Sequence, residues 1–170
     1  MINTLKQIRT EHSFLAKSFH WVFVIIFGYG VFKQIESKEQ LNDIELLKSE
    51  MLFALIFLAF IMFRFIYAKR RYKTSLPLET SILHRLAAKF IHISMYVTLS
   101  GIALSGLGIG FLFWLGYRNS YLIELTIRVH ELFFSTIVWL ISVHVLAAIY
   151  HRIRNDFVWS SMVPFLKEKS

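Results

Sequence analysis

Seven histidines, at positions 12, 20, 84, 92, 130, 144 and 151, are the residues of this 170-residue chain best suited to chemistry. There is no cysteine, so disulfides, thiolate zinc sites, iron–sulfur clusters and thiol nucleophiles are excluded together. Imidazole can ligate a transition metal as a neutral ring, and it can pass a proton near neutral pH. His130 and His144 are 14 residues apart. On one helix that is close to four turns, so both rings point to nearly the same side, about 21 Å apart along the axis.

The elements that carry these histidines must lie in a bilayer. The composition is 56% hydrophobic and 16% aromatic, with a mean hydropathy of +0.54. Charged residues make up 18%, against about 25% in soluble domains. Residues 18–32, 51–63, 90–117 and 132–150 contain no Asp, Glu, Lys or Arg. A spanning helix needs about 20 apolar residues, which the last two runs supply. The first two extend past Lys17, Lys33 and Arg64 if those side chains snorkel, with Phe65, Ile66, Tyr67 and Ala68 continuing the second. The expectation is an all-α membrane protein, a four-transmembrane-helix up-and-down bundle with helices at about 15–35, 49–69, 84–113 and 123–152, forming one domain over 1–170.

Charge sets the orientation. Lys6, Arg9 and Lys17 precede the first helix, and Lys69, Arg70, Arg71 and Lys73 fill the second connection. Arg152, Arg154, Lys167 and Lys169 follow the last helix. The first connection instead holds Glu36, Glu39, Asp43, Glu45 and Glu50 against Lys33, Lys38 and Lys48. The positive-inside rule then places both termini in the cytoplasm. The net charge of +8 is explained by topology and anionic headgroups, not by nucleic acid. Glu11 and His12 interrupt the N-terminal stretch and no small-residue cleavage site follows the first apolar run, so the first helix is expected to be retained.

This topology brings the start of helix 1 and the end of helix 4 to one membrane face, where His20 and His144 can meet. His130 lies toward the other face. Two imidazoles from different helices suit the axial positions of an iron porphyrin inside a four-helix bundle, and Gly28, Gly101, Ser105, Gly106, Ala147 and Ala148 would leave it room. The competing reading is that intramembrane histidines hydrogen-bond between helices and the small residues permit close packing. That second reading is the expectation for His84, and solvent exposure for His12.

The segment from His130 to Asp156, HELFFSTIVWLISVHVLAAIYHRIRND, resembles the last membrane helix of the bacterial cytochrome b561 and nickel-hydrogenase cytochrome b superfamily, through its His, fourteen-residue step, His, seven-residue step, His spacing. FHWVFV around His20 is similar to that family's first helix, and FIHISMY with Ser105 and Gly106 to its third. The resemblance implies a four-helix, quinone-linked haem b protein of the bacterial inner membrane. Superoxide oxidases and the membrane anchors of hydrogenases and formate dehydrogenases are of this type. Carried over by position, His20 and His144 match the ligands of the cytoplasmic-side haem, and His130 matches the helix-4 ligand of the periplasmic-side haem. His92 and His151 match histidines of the region implicated in quinone exchange, where imidazole would hand over protons as electrons move. The alternatives are a packing contact for His92 and a phospholipid phosphate for His151.

One position departs from the pattern. Where the family supplies a helix-2 histidine upstream of an arginine matched by Arg64, this chain reads KSEMLFALIFLAFIMFRF and offers Glu50. Met51 then supplies a thioether, Glu50 supplies an oxygen, or the outer haem is absent or five-coordinate. Two haems are the expectation because His130 survives; the alternative makes His130 a hydrogen-bonding residue beside Glu50. Arg64, Lys69, Arg70, Arg71, Arg85 and Lys89 neutralise haem propionates or fix topology, and most are assigned to topology. Arg128, two residues before His130, is the stronger propionate candidate. Trp21, Trp114, Tyr117, Tyr121 and Trp159 are placed in interfacial belts.

The function expected is electron transfer between an outer-face donor, superoxide in one version, and the quinone pool. The runner-up is a haem-bearing anchor that receives electrons from partner subunits. A histidine-lined proton or metal transporter and a noncatalytic anchor are the competitors from other classes.

Overall fold

The computed structural model describes residues 13–33, 38–70, 76 and 80–163. Expectations resting on His12, Lys6, Arg9, Glu11, Glu36, Arg71, Lys73, Lys167 and Lys169 lie outside the described residues. Four long helices dominate: α1 (Phe14–Phe32), α2 (Ile44–Arg70), α3 (Ile82–Trp114) and α4 (Tyr121–Ile153). All four are long and apolar enough to cross a membrane. A short α5 (Val158–Met162) follows α4, and a 3-10 turn, Lys38–Asn42, precedes α2. Among the described residues there is no strand.

Local chemistry sets the ends. Ser13 and Ser81 cap α1 and α3 by accepting the amides of Ala16 and His84. Helix α2 starts five residues earlier than its apolar run suggested, because the Asp43 carboxylate accepts the amides of Glu45 and Leu46. Helix α3 stops at Gly116, whose φ of +87° carries a Schellman turn: Gly116 donates to the Phe113 carbonyl and Tyr117 to that of Leu112.

Each helix packs on its neighbour in sequence, with little close backbone contact between α1 and α4. Glycines admit side chains from the facing helix. Phe53 of α2 seats against Gly30 of α1, Met51 of α2 against Gly110 of α3, and Phe133 of α4 against Gly101 of α3. The central core is Phe23, Phe57, Ile61, Leu99, Ala103 and Ile137. Ile137 is midway between His130 and His144, so this apolar layer separates the two histidine levels. A second cluster, Leu41, Leu47, Phe113 and Ile123, closes the end of the bundle where α3 finishes and α4 begins.

Candidate functional site

His20 of α1 and His144 of α4 lie next to each other at the end of the bundle where α1 begins and α4 finishes, with ring centroids 6.4 Å apart and planes inclined at 63°. Both are half-buried. His92 of α3 adds a third ring, its centroid 5.1 Å from that of His144. Its Nδ1–H donates to the Ala88 carbonyl at 2.7 Å, which leaves Nε2 as an acceptor on an exposed edge of the bundle.

Arg64 completes the group. Its side chain does not snorkel toward water; the guanidinium turns into the bundle, donates from Nη2 to His20 Nδ1 at 2.9 Å, and lies 4.9 Å from the Phe23 ring centre and 5.8 Å from that of Tyr96. Accepting at Nδ1 puts the hydrogen of the neutral His20 ring on Nε2. The sequence grouped Arg64 with the basic residues that either neutralise haem propionates or fix topology. The signal that separates it from Lys69 and Arg70 is its position six residues inside the end of α2, deep enough that its contacts depend on helix rotation.

The terminal edge is closed by the chain after α4. Asn155 and Phe157 take left-handed conformations, φ 50° and 66°, and fold α5 back toward α1. There Lys17 Nζ donates to the Ser160 carbonyl and Trp21 Nε1 to that of Met162. Trp21 and Trp159, expected in interfacial belts, also pin this strap: Trp159 lies under the Arg152 guanidinium at 5.1 Å. His151 pairs through Nδ1 with Asp156 Oδ2 at 2.6 Å, and Asp156 Oδ1 accepts the Val158 amide. His151 sits seven residues, about two turns, beyond His144 and is not part of the ring cluster.

The other level is built differently. His130 bonds through Nδ1 to Ser105 Oγ at 2.9 Å. The serine hydrogen goes to the Gly101 carbonyl at 2.6 Å, so His130 is the donor. A Cβ added at Gly106 would meet its ring at ordinary van der Waals distance, whereas one at Gly101 would collide with Phe133. Phe133 thus fills the Gly101 notch, and the His130 ring lies beside Ser105 and Gly106. The three residues expected beside His130 are engaged elsewhere. Glu50 pairs with Lys33 at 3.0 Å, Met51 fills the Gly110 notch, and Arg128 is exposed. Arg128, two residues and so about 200° around the helix from His130, projects from another side of α4. The ion pair lacks hydrogen-bond geometry: Lys33 donates to Ser49 Oγ, and among the described residues no hydrogen-bond donor meets buried Oε1 of Glu50. His84 bonds to Ser81, the N-cap of its own helix, and not to a neighbouring helix as expected, because it stands in the first turn of α3 on an exposed side.

Compared with known families, residues 11–165 match the model of prokaryotic cytochrome b561. The chain belongs to that family. No curated protein and no solved structure matches it. As a cytochrome b561 it is a multi-pass membrane protein of a haem b electron-carrier family.

The paired rings fit such a group. An axial metal–imidazole bond is about 2 Å and its nitrogen lies roughly 1.1 Å from the ring centre, so two imidazoles on one iron have centroids roughly 6 Å apart. The 6.4 Å between His20 and His144 meets that requirement, and α1 and α4 make little close backbone contact. A bare metal ion would need more protein ligands. Among the described residues no group of three His, Asp or Glu side chains is arranged to hold one. The His20 contact to Arg64 opposes coordination, since Nε2 must give up its hydrogen. The level of His130 offers one imidazole and, among the described residues, no second donor directed at it.

Proposed function

We propose that this cytochrome b561 binds one haem b between His20 and His144 and exchanges electrons with the quinone pool. The observation carrying this reading is the adjacent imidazole pair from α1 and α4, 6.4 Å between centroids. Haem supplies a one-electron couple between ferrous and ferric iron. The chain's own residues supply orientation and protons. His20 and His144 hold the iron between α1 and α4. His92, one ring from His144 and exposed on the bundle surface, presents Nε2 to a quinone head in the bilayer and takes or gives the proton that accompanies the electron. His151, oriented by Asp156, does the same at the terminal edge, which positive-inside places in the cytoplasm.

Two electron sources remain distinguishable. An outer-face donor, superoxide among them, calls for a second haem at His130 as a relay. The single imidazole at that level, and the short connection of residues 115–120, favour the other source: a partner subunit or soluble donor reaching the haem near the terminal face. Purified protein should give a reduced-minus-oxidised b-type spectrum with one haem per chain, and His144→Ala should lose most of it. A colourless protein from haem-sufficient cells would overturn the reading, and two haems per chain would restore the outer-face route.

A further inference from the structure

Arg64 is a permanent cation inside a membrane-spanning helix, six residues before the end of α2. Among the described residues it has no carboxylate partner: its contacts are His20 Nδ1 and the faces of Phe23 and Tyr96. An unpaired charge at such depth is expensive, and intramembrane charges are normally paired or lie along a functional path. Aromatic faces and a neutral imidazole soften that cost without supplying an anion.

The contact with His20 sharpens the point. While Arg64 donates to Nδ1, the hydrogen of His20 is on Nε2, the nitrogen that must face a metal held between the two rings. Turning the ring over would set a C–H against the guanidinium and lose the bond. Either way, engagement of His20 by iron frees Arg64. The guanidinium then needs an acceptor within a side chain's reach of His20, and a planar fork of donors suits a carboxylate.

We propose that Arg64 is the counter-ion of a haem propionate, released from His20 as the iron takes that ring. This rests on the haem reading above. The same ligand would bring the metal that displaces Arg64 from His20 and the anion that receives it. Arg64 acts as a positioning residue: it recognises the edge of the porphyrin and adds positive charge beside the iron.

The test uses purified full-length protein, stripped of haem and reconstituted with either haem b or haem dimethyl ester, whose propionates are neutral. The unaltered chain should bind haem b at least about tenfold more tightly than the ester. Arg64→Gln should erase that preference and Arg64→Lys should keep part of it. Removing a nearby cation disfavours the reduced state, so the midpoint potential of Arg64→Gln should fall, by about 59 mV for a tenfold shift in the one-electron equilibrium. Equal binding of acid and ester by the unaltered chain overturns the proposal, as does a preference or potential unchanged in Arg64→Gln. Should Arg64→Gln fail to accumulate, the unaltered chain and Arg64→Lys decide by the same criteria. Failure of the unaltered chain to bind either porphyrin would instead reject the haem reading itself.

Discussion

Gly101→Ala probes the interface that carries two of the three clustered histidines. A Cβ at position 101 of α3 would lie 2.6 to 2.8 Å from three ring atoms of Phe133 on α4. Carbon pairs settle at about 3.5–4.0 Å, so the ring must retreat by roughly 0.8 Å or the helices must part. Phe133 has only two side-chain torsions and is packed on the α3 backbone, and overpacking of this kind costs about 1–3 kcal/mol. At about 2–4 °C per kcal/mol for a chain of this size, the midpoint of thermal unfolding in detergent should drop by several degrees. Phe133→Leu leaves a cavity on its own but relieves the clash, so the double variant should recover about 1 kcal/mol relative to the sum of the two. Gly28→Ala is the internal control: its Cβ meets nothing within 4 Å, and alanine improves helix propensity, so it should be neutral or stabilising. Tryptophan fluorescence during heating reads all four. A neutral Gly101→Ala, or strictly additive penalties, would refute the ring-in-notch account of how α3 and α4 are held together.

His130→Ala should leave haem content at one per chain, because that ring is bonded to Ser105 and, among the described residues, no second ligand faces it; loss of half the haem would show the opposite. Asp156→Asn keeps an acceptor for the Val158 amide but weakens the bond to His151, so quinone reduction should slow by roughly ten- to a hundredfold with the visible spectrum unchanged. An unaltered rate would confine Asp156 to capping α5.

The parts of the site legible in the sequence are those that depend on depth alone. Apolar run length gave four spans, and counting residues along α1 and α4 put His20 and His144 at one height. What stayed hidden depends on rotation about helix axes. Arg64 read as one more basic residue near a helix end, yet its azimuth on α2 aims it at His20. Arg128 looked close to His130 in sequence and lies around the other side of α4. Met51 and Glu50 stood at the expected ligand height, but a glycine on α3 captured one and a lysine at the end of α1 the other. The strap built from α5 had no periodic signal, because five residues are too few to show one, and it rests on two left-handed residues that are not glycine.

The central claim is that one iron is held by imidazoles from α1 and α4, and low-temperature electron paramagnetic resonance of the oxidised protein reads it most directly. The account predicts a single low-spin ferric signal of bis-imidazole type, replaced by high-spin ferric iron or lost altogether in both His20→Ala and His144→Ala. A low-spin bis-imidazole signal that persists unchanged in either variant would contradict it.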